Sequence, residues 1–169
     1  MKKYLQWGLP IFILATLSYF VWGFTTKLNR KKEVAQRVQT LPNFTASLLD
    51  RSVISKTTLA GQPVVLLYFD PDCDHCQREA DELYKKSVLL KQAMIVMLSS
   101  APISDLTTFT EAYKLNALPN VRVAHIDRQV AYDTLGFTSV PDVLIYHADG
   151  SLAKHFKGET SVEAIARHL

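Results

Sequence analysis

The sequence predicts an α/β fold, a sheet flanked by helices, preceded by an N-terminal transmembrane helix. Three observations carry that reading. Val64 to Phe69 is an apolar run rich in β-branched and aromatic residues, the pattern of a strand buried on both faces. Strand-like runs alternate with helical ones from there almost to the C-terminus, as in α/β sheets. Finally, no charged residue occurs from Tyr4 to Thr26.

That uncharged run follows Met1-Lys2-Lys3. At about 1.5 Å per residue, a helix of its length spans roughly 34 Å, enough for a bilayer core. Tyr4, Trp7, Tyr19 and Trp22 lie towards its ends, as interfacial aromatics do. Gly8 and Pro10 are tolerated in membrane helices. A cleaved signal peptide is the competing reading. The run ends Tyr19-Phe20-Val21-Trp22-Gly23-Phe24, bulky where a cleavage site needs small residues, so residues 1–26 are read as an anchor. Residues 27–40 form a polar, basic tether, read as a helical extension leaving the membrane. Its Lys27, Arg30, Lys31, Lys32 and Arg37 outnumber Lys2 and Lys3, and a literal positive-inside count places the following domain in the cytoplasm.

Residues 41–169 are the soluble domain. Phe44–Asp50 and Val53–Ser55 read as short strands around a turn at Asp50-Arg51. Thr57–Ala60 reads as one helical turn, and Gly61-Gln62-Pro63 leads into the central strand. Asp74 to about Leu90 reads as the first long helix, with Leu83, Tyr84, Val88 and Leu89 as a partial apolar stripe. Met94–Leu98 is the next strand. Asp105–Leu115 is a helix with Ser104 or Asp105 as its N-cap. Val121–Ile126 is a strand whose Arg122 argues for an edge or a partly exposed end. Gln129–Leu135 is a short helix stopped by Gly136. Val143–His147 and Leu152–Lys157 form a hairpin across Ala148-Asp149-Gly150. Thr160–Glu163 has capping-box spacing and starts the last helix.

At 169 residues the chain suffices for one well-buried domain and an appendage. A net charge of +3 is mild, and outside the tether nothing suggests a nucleic-acid face. Two cysteines, both in one motif, do not make a disulfide scaffold.

Those cysteines carry the chemistry. After Asp70-Pro71-Asp72 breaks the central strand, Cys73-Asp74-His75-Cys76 opens the helix. A helix N-terminus presents unpaired N–H groups and the positive end of its dipole, which stabilise a thiolate placed there. Cys73, at or before the first turn, is the candidate attacking thiolate. Cys76, three residues on, is close enough to close a disulfide with it and is the candidate resolving thiol. His75, if protonated, favours the Cys73 thiolate, whereas Asp70, Asp72 and Asp74 oppose it. Asp72, Asp74 and His75 are the candidate tuning residues, and the balance points to an intermediate to reducing potential. No dissociable cofactor is needed, because the dithiol is the redox centre.

With these residues in view, the domain resembles the membrane-anchored thiol–disulfide oxidoreductases of the TlpA/ResA-like group, thioredoxin-like proteins of the AhpC/TSA-redoxin superfamily. Pro42-x-Phe44 opens the resemblance, and Thr58–Leu66 resembles the family's approach to its active-site strand. Cys73-Asp74-His75-Cys76 matches the redox motif. Val140-Pro141-Asp142-Val143 falls where the family has its cis-proline, before the matching turn at Asp149-Gly150. The resemblance implies a thioredoxin-like fold with a central mixed sheet and protein disulfide or dithiol substrates. It also implies a membrane electron donor and an extracytoplasmic, periplasmic domain, against the charge count. It further implies a cis Pro141 that packs against the disulfide, with the Val140 backbone pairing with substrate. The chain departs from the pattern at Asp72, where thioredoxins place tryptophan. It also departs at Leu67, where many members carry a buried acid that helps deprotonate the second thiol. The proton acceptor for Cys76 is left without a candidate.

The alternative from another class is a copper delivery or assembly chaperone using the same two thiols as ligands. A structural disulfide across so short a loop gains little stability. A c-type haem site needs His after the second Cys, where Gln77 stands. A peroxiredoxin needs Thr or Ser at Asp70. His125, His147, His155 and His168 are scattered and read as surface or satisfied core residues.

Overall fold

In the computed structural model, the backbone is described for residues 2–169. Side chains are described for residues 16–169 other than 27, 30 and 31. The chain divides into two compact units, Met1–Gln36 and Arg37–Leu169.

The first unit consists of helix α1, which runs Lys2–Arg37 and ends on the first residue of the second unit. Leu17, Tyr19, Phe20, Val21, Trp22 and Phe24 are exposed along it. The hydroxyls of Thr25 and Thr26 donate back to the carbonyls of Val21 and Trp22 at 2.9 and 2.7 Å, so these polar groups are satisfied within the helix. Among the described residues, no helix is long and apolar enough to cross a membrane. The expected anchor falls in part outside the described residues, which exclude Met1 and the side chains up to residue 15.

The second unit is built on a seven-stranded mixed sheet of order β2-β1-β5-β4-β3-β6-β7. In chain order these are β1 Thr45–Leu48, β2 Val53–Ser55, β3 Val64–Tyr68, β4 Met94–Ser99, β5 Val121–His125, β6 Asp142–Tyr146 and β7 Leu152–Lys157. β3, β4 and β5 are parallel, while β6, β7, β1 and β2 run antiparallel to their neighbours. β3 lies between β4 and β6, and Val64, Val65, Leu66 and Leu67 are all buried. A strand covered on both faces has no polar side to alternate, hence its continuous apolar run. On one face Val65, Leu67 and Phe69 join a core with Cys76, Ala80, Leu83, Phe109, Val143, Val162 and Ile165.

The helices are α2 Lys56–Leu59, α3 Asp74–Lys85, α4 Ile103–Ala112, α5 Arg128–Leu135 and α6 Val162–Ala166. α5 starts where Asp127 accepts from the N–H groups of Gln129 (2.8 Å) and Val130 (3.1 Å), and it stops at Gly136, whose φ of 73° favours glycine.

Three expectations need correction. The helix expected to run to Leu90 ends at Lys85, and Ser87–Leu90 is a separate 3₁₀ turn that buries Leu90 and leaves Val88 exposed. α4 begins at Ile103 after Pro102, so Ser104 and Asp105 lie inside its first turn instead of capping it. The cap of α6 is Ser161, whose hydroxyl accepts from Ala164 N–H, while the Thr160 hydroxyl donates to the Gly158 carbonyl. β5 is internal to the sheet, and of the two alternatives that Arg122 left open the partly exposed end holds. β1 pairs with it only at Ala124 and His125, so Arg122 lies beyond the paired stretch and stays exposed.

Residues 38–40, the end of the expected tether, are part of the second unit. The Val38 carbonyl accepts from the Tyr146 hydroxyl at 3.2 Å, the Gln39 carbonyl from Leu152 N–H at 2.9 Å, and Thr40 bridges to Ser151.

Candidate active site

Tyr68 pairs with Asp142 in the sheet. The exit of β3 towards Cys73 therefore lies beside the entry of β6 from Pro141. That register joins two stretches well separated in sequence.

The turn between β3 and α3 is held locally. The Asp70 carboxylate accepts from Asp72 N–H at 3.0 Å, the Asp70 carbonyl accepts from Cys73 N–H at 3.1 Å, and the Gln77 amide donates to the Pro71 carbonyl at 2.9 Å. Cys73 is then the N-cap of α3, and its Sγ accepts from Cys76 N–H at 3.4 Å. A sulfur in this position takes one of the helix's orphan donors and faces the positive end of its dipole. Cys73 is half-buried and Cys76 fully buried, and both are free thiols. Burial pushes the Cys76 thiol far up, with its hydrogen bond to Cys73 and the charge of Glu79 acting in the same direction. The two sulfurs are thus unequal: one is reachable, the other protonated and shielded.

Asp72 and Asp74 are exposed, Asp74 in the first turn of α3. His75 is exposed as well, with Nδ1 2.5 Å from Glu159. Val140 packs against the same core as Cys73. The Val140–Pro141 bond is cis, Pro141 is buried, and its carbonyl accepts from Gly158 N–H at 2.9 Å. Val140 and Asp72 line one cleft of about 600 Å3, floored by Tyr68, Phe69 and Phe137 and rimmed by Asp105 and Arg128. Five of the expected residues, Asp72, Cys73, Cys76, Val140 and Pro141, converge on this end of the sheet, while Asp74 and His75 face solvent beside it.

Sequence reasoning missed Glu79. It is 2 % exposed on α3, on the stripe Cys76, Glu79, Ala80 and Leu83. Neither carboxylate oxygen makes a hydrogen bond. Burial pushes its carboxyl up to about 8, against a weaker opposing pull from the Thr160 backbone. An acid on the buried stripe three residues after Cys76 was a readable signal, because i and i+3 share a helix face. A second buried acid, Asp142, places one oxygen 2.5 Å from His155 Nε2 and leaves the other without a partner. His155 is thus a satisfied partner, as its type suggested. Among the described residues, no group of three His, Cys, Asp or Glu side chains converges as a metal site.

A family model described as a thioredoxin-like domain matches residues 51–169. Among solved structures, the chain is similar to a secreted Mycobacterium tuberculosis disulfide oxidoreductase homologous to E. coli DsbE. That match has 23% identity, covers 75% of this chain and 87% of that one, and has a TM-score of 0.59. MTB dsbF, in its mixed oxidized and reduced forms, matches at 20% identity over 78% and 93% of the two chains with a TM-score of 0.64. Arabidopsis thaliana ScoI with copper bound matches at 11% identity over 76% and 94%, with a TM-score of 0.60. At such identities the likeness is one of fold. No curated protein matches the sequence.

Proposed function

This chain belongs to the thioredoxin-like domain family, and on that premise we propose that it is a thiol–disulfide oxidoreductase acting on protein substrates. The observation that carries the reading is the inequality of the two sulfurs: Cys73 half-exposed and capping α3, Cys76 buried behind it beside a buried acid.

In the reducing direction, the Cys73 thiolate attacks one sulfur of a substrate disulfide. The substrate S–S bond breaks, one substrate thiolate leaves and takes a proton, and a mixed disulfide forms. Cys76 then loses its proton and attacks Cys73 Sγ. The second substrate thiol departs, and the Cys73–Cys76 disulfide holds the oxidising equivalents. Two electrons have moved from the dithiol to the substrate. Glu79 supplies the proton acceptor that was lacking. With a carboxyl near 8 it is about one-tenth ionised at pH 7, enough to accept the Cys76 proton when resolution requires it. Asp72, Asp74 and His75 set the charge around Cys73, and Val140 with Pro141 forms one wall of the substrate groove.

We also infer that residues 1–26 anchor the protein in a membrane with the domain on the extracytoplasmic side, where a membrane electron donor re-reduces it. The uncharged run Tyr4–Thr26 and the exposed apolar side chains of α1 support the anchor. The charge count opposes the orientation. Protease added to intact spheroplasts should digest the domain, and full protection would overturn that side of the assignment.

The functional test is the Cys73/Cys76 reduction potential of the full-length protein in detergent. A value near or below about −230 mV supports a reductase. A value near or above about −150 mV reverses the direction. A pair that forms no reversible disulfide sinks the oxidoreductase reading, and tight one-to-one Cu(I) binding would then support delivery of that metal.

A further inference from the structure

We propose that Glu159, on the loop between β7 and α6, is a positioning residue that sets the charge seen by the redox pair through Arg78 and His75. The inference rests on the oxidoreductase reading above.

The geometry joins two distant parts of the chain. Glu159 Oε1 accepts from Arg78 Nε at 3.0 Å and Oε2 from Arg78 Nη2 at 2.8 Å, a two-pronged guanidinium–carboxylate pair. The same Oε2 lies 2.5 Å from His75 Nδ1, and Arg78 Nη2 lies 2.6 Å from that nitrogen. Nδ1 serves one partner at a time. As an imidazolium, His75 donates to Glu159; as the Nε2–H tautomer, it accepts from Arg78. In either state the Glu159 carboxylate is the counter-charge for this side of the first turns of α3.

That turn carries the reactive sulfur. Cys73 caps α3, and Arg78 lies within electrostatic reach of both Cys73 and Asp74. Arg78, and then His75, hold the Glu159 carboxyl down at about 2, so it stays ionised throughout the working range.

The loop also reaches inward. The Thr160 backbone bears on buried Glu79, the charges of Glu159 and Glu82 both raise that acid, and Glu79 in turn bears on Cys76. Glu159 therefore borders the surroundings of both thiols, one from solvent and one from the core. Its position is fixed at both ends. Gly158 N–H donates to the carbonyl of Pro141 at 2.9 Å, and Ser161 caps α6 immediately after. The φ of 87° at Gly158 is a left-handed conformation that favours glycine and turns the chain towards α3.

Neutralising Glu159 leaves Arg78 and His75 without their counter-charge. The uncompensated positive charge then favours the Cys73 thiolate, and the reduced form is stabilised. The test uses full-length protein in detergent micelles, equilibrated with glutathione. Each mole of dithiol and glutathione disulfide exchanges for protein disulfide and two moles of reduced glutathione. The dithiol fraction is read by alkylation mass shift. Glu159→Gln should move the equilibrium towards the dithiol by about two- to fivefold, the range for an exposed ion pair. Arg78→Gln should move it the other way, and the double variant should return close to wild type. A loop with only a structural role would lower the melting temperature of Glu159→Gln and leave the equilibrium unmoved, and that result overturns the proposal. Shifts of the same sign for both single variants overturn it too. A wild-type protein with no reversible disulfide is a different failure: it removes the oxidoreductase reading, and this inference with it.

Discussion

Glu79 makes stability fall with pH, and the size of the effect follows from its burial. Its carboxyl is raised from 4.5 to about 8, with burial as the first cause. In the unfolded chain the same group titrates at its ordinary value. A carboxyl raised on folding contributes stability that is fully present below the unfolded value. That stability is lost as pH climbs to and through the folded one, because the folded state keeps a proton that the unfolded state has given up. At 1.36 kcal/mol per unit, the loss between pH 5 and pH 8.5 is about 4 kcal/mol. A domain of this size has only about 5–15 kcal/mol to lose, so the effect is large. The perturbation is Glu79→Gln, which keeps the shape and removes the titration. The assay is urea unfolding of the reduced Arg37–Leu169 unit at several pH values in both proteins. Working against the variant cancels the titrations that Glu79 does not influence, and stopping at pH 8.5 keeps below that of Cys76, which Glu79 does influence and which acts at higher pH. The wild type should lose about 4 kcal/mol relative to Glu79→Gln across the window. Parallel curves for the two proteins would refute the claim that Glu79 is held protonated by burial.

Three further outcomes are expected. Cys76→Ser should accumulate a mixed disulfide between Cys73 and protein partners, visible on non-reducing gels, whereas Cys73→Ser should trap none. Asp127→Ala removes the acceptor for Gln129 and Val130 N–H and should cost about 1 kcal/mol in urea unfolding, since α5 loses its cap. His155→Ala strips buried Asp142 of its one partner and should cost about 1–3 kcal/mol, measured by the same method at pH 7.

Much of the site was legible because it is local. The apolar run Val64–Phe69, the break at Asp70-Pro71-Asp72 and two cysteines at i and i+3 encode a buried strand, a turn and a helix start. Each depends on neighbours within a few residues. The hairpin after Pro141 and the stop at Gly136 are equally short-range. The errors came where local signals compete. Thr160 and Ser161 are both good caps, and the choice went to Ser161 because Thr160 turns its hydroxyl back to Gly158. Arg122 left an edge strand and a partly exposed end open, and the short pairing of an internal strand decided for the second. Glu79 was readable in principle: its spacing from Cys76 puts it on the buried stripe. The tertiary structure alone decided that the Thr160 backbone is too weak a partner there to offset burial. It alone set Tyr68 against Asp142, so that the cis-proline stands beside the cysteines, and it alone brought Glu159 to Arg78 and His75. Short-range sterics and helix dipoles act along the chain and leave their mark on composition. Burial, sheet register and the pairing of distant charges arise only when the chain closes on itself.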